Sequence, residues 1–134
     1  MGRSIFSWEL FDKMPVVGII RNLTVADINF VLPIYKQAGF TTIEITLNTP
    51  EALSVISSLA LEYNGELNVG AGTVCTLDDL TDAVNAGANF IVTPIFKAEV
   101  VKKCVAMQVP IFPGAFTPTC SAYQLPGFEK MYNE

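Results

Sequence analysis

Five short apolar runs, each the length of a strand and each followed by a stretch of helical period, set the tightest limit on how this chain can fold. They are Val16 to Ile20, Thr42 to Leu47, Leu67 to Gly70, Phe90 to Val92 and Pro110 to Phe112, and their starts lie 26, 25, 23 and 20 residues apart. Val, Ile and Phe dominate them, and most lack polar–apolar alternation, the pattern of strands covered on both faces. Between the runs, Ile28, Val31, Leu32 and Tyr35 share one helical face, and Leu53, Ile56, Leu59, Ala60 and Tyr63 share another. Strand alternating with helix at this period predicts an α/β protein with a parallel sheet and right-handed crossovers.

The helix punctuation agrees. Thr24 to Asp27 and Thr76 to Asp79 fit the capping box in its acidic form. Thr49-Pro50 and Thr117-Pro118 each place a cap residue before a proline suited to the first helical position. Gly39 and Gly87 stand where a helix would stop, and the matching Ala38-Gly39 and Ala86-Gly87 steps point to a repeated βα unit. A further short helix, Ser7 to Met14, is predicted before the first strand. Two architectures accommodate this order: an open doubly wound sheet of five strands, and a (β/α)₈ barrel, which typically needs ~200–250 residues. The 134 residues provide a single domain, 1–134, with five βα units.

Composition narrows the chemistry. With 51% apolar and 16% charged residues the chain has ample surface to bury, which excludes disorder. There is no histidine, so no Ser-His or Cys-His dyad, no imidazole metal site and no histidine general base can form. A net charge of −5 argues against nucleic acid as a partner. Cys75, Cys104 and Cys120 are odd in number and form no CxxC pair, as expected of small apolar fillers in a reducing compartment. No apolar run reaches the ~20 residues of a membrane span, and Met1 to Asp12 lacks the apolar core of a signal peptide. The expected location is the cytoplasm.

In either architecture, active sites form at the carboxyl ends of the strands. There the sequence places Arg21, then Glu44, Thr46 and Asn48, then Gly70-Ala71-Gly72-Thr73, then Thr93-Pro94, and last Pro113-Gly114. Glu44 lies between two isoleucines in a strand expected to be covered on both sides. A carboxylate there is either paired structurally, with Arg21 as a partner, or raised in pKa for proton transfer. Arg21 at a strand's end suits a substrate carboxylate equally well. The glycine-rich turn lets backbone N–H groups approach an anion, yet it is neither GxGxxG nor a P-loop.

Taken in order, Val-Val-Gly-Ile-Ile-Arg, Ile-Glu-Ile-Thr-Leu, Val-Gly-Ala-Gly-Thr-Val, Phe-Ile-Val-Thr-Pro and Pro-Gly-Ala-Phe-Thr-Pro-Thr resemble the KDPG/KHG aldolase family over about Val16 to Thr119. Its members split 2-keto-3-deoxy-6-phosphogluconate (KDPG) into pyruvate and glyceraldehyde 3-phosphate. The resemblance implies a TIM-type barrel with about five of its eight units present, a lysine Schiff base without metal or cofactor, and a homo-oligomer, usually a trimer. It implies that Glu44 shuttles protons and that Arg21 and Thr73, beside Gly72, hold the pyruvyl carboxylate end of a keto acid such as pyruvate, KDPG or KHG. Thr93 and Pro94 would line the pocket beside the turn at Gly114, and Asn48 stands where relatives vary between arginine and threonine.

The departures fall at the end of the chain. Cys120 replaces the glutamate that follows Thr-Pro-Thr in the family. Gap-free counting to the family's Schiff-base lysine lands on Asn133, and Lys130 is the nearest lysine. The expectation is therefore an aldolase whose nucleophile is Lys130 or a partner chain's lysine. The alternative is an inactive, truncated homologue that binds a keto acid or associates with a full-length aldolase.

Overall fold

Every apolar run lies in or overlaps a strand. In the computed structural model, which describes residues 4–116, the strands are β1 (Gly18–Ile20), β2 (Thr42–Thr46), β3 (Asn68–Gly72), β4 (Ile91–Thr93) and β5 (Ile111–Pro113). The helices are α1 (Trp8–Lys13), α2 (Val25–Gln37), α3 (Ala52–Glu62), α4 (Leu77–Ala86) and α5 (Ala98–Ala106). Several strands run further toward their carboxyl ends than the apolar pattern reaches. Ala71 and Gly72 extend β3, Thr93 extends β4 and Pro113 extends β5, because these residues join the ladder through backbone whatever their side chains.

All neighbouring strands pair parallel, in the order β1-β2-β3-β4-β5. A doubly wound sheet reverses direction at a switch point, and this one does not, so the order is that of a barrel wall. Successive right-handed crossovers in one direction place α2 to α5 on the same face. There Ile20, Ile43, Ile45, Val69, Ala71, Ile91 and Ile111 pack with Ile28, Leu32, Ile56, Leu59, Leu80, Val100 and Cys104 in one buried cluster. Fully burying each larger aliphatic side chain contributes about 1.5–3 kcal/mol. The central strands β2 and β3 are buried along their whole length, while the outer β1 is only partly covered.

The opposite, inner face is closed near the amino ends of the strands by the N-terminal segment. Phe6 packs on Phe90 with ring centroids 5.6 Å apart, Phe90 on Phe112 at 5.8 Å, and Phe11 on Phe112 at 6.0 Å. Gly70 admits this layer, since a Cβ there would sit 2.5 Å from the Phe90 ring. Asn68 clamps the segment: its Oδ1 accepts from Ser7 N at 2.7 Å and its Nδ2 donates to Ser7 O at 2.9 Å. The Thr41 hydroxyl adds a bond to Leu10 O at 2.6 Å.

Thr76 forms the expected capping box with Asp79, and Thr24 accepts from Asp27 N at 3.1 Å. Gly39 and Gly87 both take positive φ, 96° and 110°, at the ends of α2 and α4. Thr49-Pro50 departs from expectation. Helix α3 starts later, at Ala52, with Glu51 as its N-cap, because the Thr49 hydroxyl is engaged in the loop. Thr117-Pro118, Cys120, Asn133 and Lys130 lie outside the described residues.

Candidate active site

Strand alternation decides which side chains of β2 face inward. With Ile43 and Ile45 committed to the helix layer, Glu44 points to the inner face, in register between Ile19 of β1 and Gly70 of β3. It is only 3% exposed, and its Oε2 has no hydrogen-bond partner. Its carboxyl lies across Gly72, where a Cβ would come within 2.8 Å of Oε2 and 2.9 Å of Cδ. Any side chain at position 72 would displace the carboxyl. Burial pushes the Glu44 pKa up to about 7, and the charge of Arg21 pulls the other way.

Arg21, just past β1, is exposed and forms no ion pair with Glu44 among the described residues. Its influence on the carboxyl is exerted through space, and the structural pair considered from sequence is not formed. A carboxyl with a pKa near 7 is populated in both protonation states at neutral pH, the condition under which one group can donate and then accept a proton.

The other predicted residues gather at the same end of the sheet. Thr73 follows β3 with φ 58°, a left-handed conformation that a β-branched residue adopts only under strain. The backbone around it is tied on both sides, Leu47 N donating to Gly72 O at 2.9 Å and Val74 N to Val92 O at 3.3 Å. Thr93 is buried with its hydroxyl oxygen unpartnered, while its carbonyl accepts from Gly114 N at 2.8 Å. A side chain at Gly114 would overlap the Pro94 carbonyl, so glycine lets the loops after β4 and β5 touch. Pro94 itself is exposed.

Sequence reasoning missed a hydroxyl cluster that fastens β1 to β2 beside Glu44. The Thr46 hydroxyl donates to Asn48 Oδ1 and lies 3.0 Å from the Thr49 hydroxyl. Thr49 in turn accepts from Asn22 N at 3.2 Å and donates to Ile20 O at 3.4 Å. The run Thr46-Leu47-Asn48-Thr49 carries three polar side chains in four residues, which was the available signal. Among the described residues every lysine lies on a helix or its cap: Lys13, Lys36, Lys97, Lys102 and Lys103. No group of three or more His, Cys, Asp or Glu among them is placed to hold a metal ion, and no described helix is long and apolar enough to cross a membrane.

A one-directional parallel sheet with a buried carboxyl of raised pKa toward its carboxyl end defines a protein of the (β/α)-barrel class, with its candidate site where that class places its chemistry. The sequence pattern of KDPG and KHG aldolases matches residues 9–129, and the chain belongs to that family. It is 30% identical to the 2-dehydro-3-deoxy-6-phosphogalactonate aldolase of Escherichia coli over 112 residues, covering 84% of this chain and 54% of that protein. It is 37% identical to the 2-dehydro-3-deoxy-phosphogluconate aldolase of Pseudomonas aeruginosa over 101 residues, 75% of this chain and 44% of that one. The structure of Legionella pneumophila KDPG aldolase, with pyruvate captured as a covalent carbinolamine, superposes with a TM-score of 0.78 at 26% identity, covering 88% of this chain and 57% of that one. The chain thus spans about half the length of the curated relatives it matches.

Proposed function

We propose that this chain acts as a class I aldolase on a 2-keto-3-deoxy sugar acid, KDPG or KHG in type, releasing pyruvate and an aldehyde. The observation that carries the reading is Glu44: an inward-facing carboxyl, held across Gly72, with a pKa near the middle of the working range. In this reaction a lysine amine adds to the C2 carbonyl of the keto acid to give a carbinolamine. Protonated Glu44 delivers a proton to the departing hydroxyl, which leaves as water, and an imine forms. The carboxylate so produced takes the proton of the C4 hydroxyl as the C3–C4 bond breaks, freeing the aldehyde and leaving an enamine of pyruvate. The same proton returns to C3, and water releases pyruvate from the amine. Arg21 and Thr73 hold the carboxylate end of the keto acid, with Gly72, Thr93, Pro94 and Gly114 shaping the pocket around it. Lys130, or a lysine of a partner chain in an oligomer, serves as nucleophile. The cytoplasm, where phosphorylated sugar acids occur, is the setting this reaction requires.

Borohydride trapping with pyruvate tests the Schiff base. The expected result is a pyruvyl adduct on one lysine, placed by peptide mass. If no lysine of the protein carries an adduct, the Schiff-base mechanism is wrong for it. The second reading, a keto-acid-binding homologue without turnover, draws on the location of every described lysine on a helix or cap rather than on a strand. Pyruvate binding with no adduct is its signature.

A further inference from the structure

The register between β1 and β2 ends at Ile20 with Ile45, one residue before Arg21. Past that pair the chain turns at Asn22, whose φ of 57° is left-handed, a conformation asparagine accepts more readily than most residues. One side chain of the loop after β2 brackets this step. The Thr49 hydroxyl accepts from Asn22 N at 3.2 Å and lies 3.4 Å from Ile20 O, so it engages the backbone groups on both sides of Arg21.

Thr49 is itself fixed. It is buried, its own N–H donates to Thr46 O at 2.9 Å, and its carbonyl accepts from Ala52 N at 3.2 Å. Proton count sets the direction of the hydroxyl cluster. Asn48 Oδ1 only accepts, which commits the Thr46 proton to it and leaves Thr46 Oγ1 as an acceptor for Thr49. The single Thr49 proton is then shared between Thr46 Oγ1 and Ile20 O, while its oxygen takes the Asn22 N–H. A methyl group in place of this hydroxyl would leave Asn22 N and Ile20 O without it.

We infer that Thr49 is a positioning residue for Arg21: by holding the backbone before and after it, Thr49 sets where the guanidinium reaches, and with that its grip on the carboxylate of a 2-keto acid. Arg21 is exposed and has many rotamers, so the placement of its backbone decides which of them serve the site. The charge of Arg21 is felt at Glu44, which puts the bracketed residue within reach of the inner face. The inference rests on the aldolase reading for what Arg21 binds, and adds to it a residue that itself touches no substrate.

Calorimetric titration of the protein with pyruvate tests this. Arg21→Ala should weaken binding about tenfold or more. Thr49→Val should weaken it about tenfold, and Thr49→Ser, which keeps the hydroxyl, should stay within about threefold of the parent. Thr49→Val added to Arg21→Ala should cost less than about twofold more, because the two residues act as one unit. Thr49→Ala supplies the same comparison should Thr49→Val not fold. Parental affinity in Thr49→Val, a serine variant as weak as the valine one, or full additivity with Arg21→Ala overturns the inference and leaves the aldolase reading in place. A parent that binds no pyruvate, or an Arg21→Ala variant that binds it as the parent does, overturns the role of Arg21 itself and the inference with it.

Discussion

At position 44 the protein buries a carboxyl with one oxygen unpartnered, and the cost falls on the charged form. Glu44 holds its proton more tightly in the folded chain, with a pKa of about 7 against an ordinary 4.5. Its contribution to stability is therefore fully present below about pH 4.5 and is lost as pH rises through 7. The loss amounts to about 3 kcal/mol. Glu44→Gln, which mimics the protonated form, should remove this slope: chemical denaturation at pH 8 should find the variant more stable than the parent by up to about 3 kcal/mol, with the two alike near pH 4.5. A variant less stable at pH 8 would mean that the carboxylate is stabilised by a partner. Much of this was legible in the sequence, because a charged residue between two isoleucines of a covered strand has few innocuous explanations. Gly72 was legible only as part of a glycine-rich turn. That it makes room for Glu44 depends on parallel register between strands offset by 26 residues, which no local pattern encodes.

Local signals predicted elements well where the bonds involved are local. Thr24 and Thr76 cap helices a few residues away, and Gly39 and Gly87 end them. Thr49 shows the limit: its hydroxyl has a choice between capping the next helix and joining Thr46, Asn22 and Ile20 across the strand ends, and the long-range partners win. Helix α1 is similar. Its six residues bury none of their number, so its position rests on the Asn68 clamp, the Thr41 bond to Leu10 O and the aromatic contacts of Phe6 and Phe11. Asn68→Ala should cost about 1–3 kcal/mol by leaving the Ser7 backbone groups without their partner. Hydrogen exchange should then show faster exchange at residues 7–14 while β2 keeps its protection. Unchanged exchange there would mean that the Thr41 bond and the aromatic contacts suffice to hold the segment.

For the whole molecule, periodicity gave strands and helices in order but left both the doubly wound sheet and the barrel wall open, the first fitting the length and the second the strand ends. Both arise from the same βα repeat, and they differ in the direction of each crossover, a property of the assembled sheet. The ordered motifs favoured the barrel, and the sequential strand order establishes it. That order also explains the two kinds of surface the protein presents: a helix layer with a continuous core, and an inner face plugged by aromatics at one end and carrying Glu44 toward the other. We propose that this wall bears the proton-transferring half of an aldolase site. It is tested most directly by pyruvate release from KDPG, assayed on the purified protein. Release is expected, falling by a hundredfold or more in Glu44→Gln. Absence of release, or equal rates with glutamate and glutamine at position 44, would contradict it.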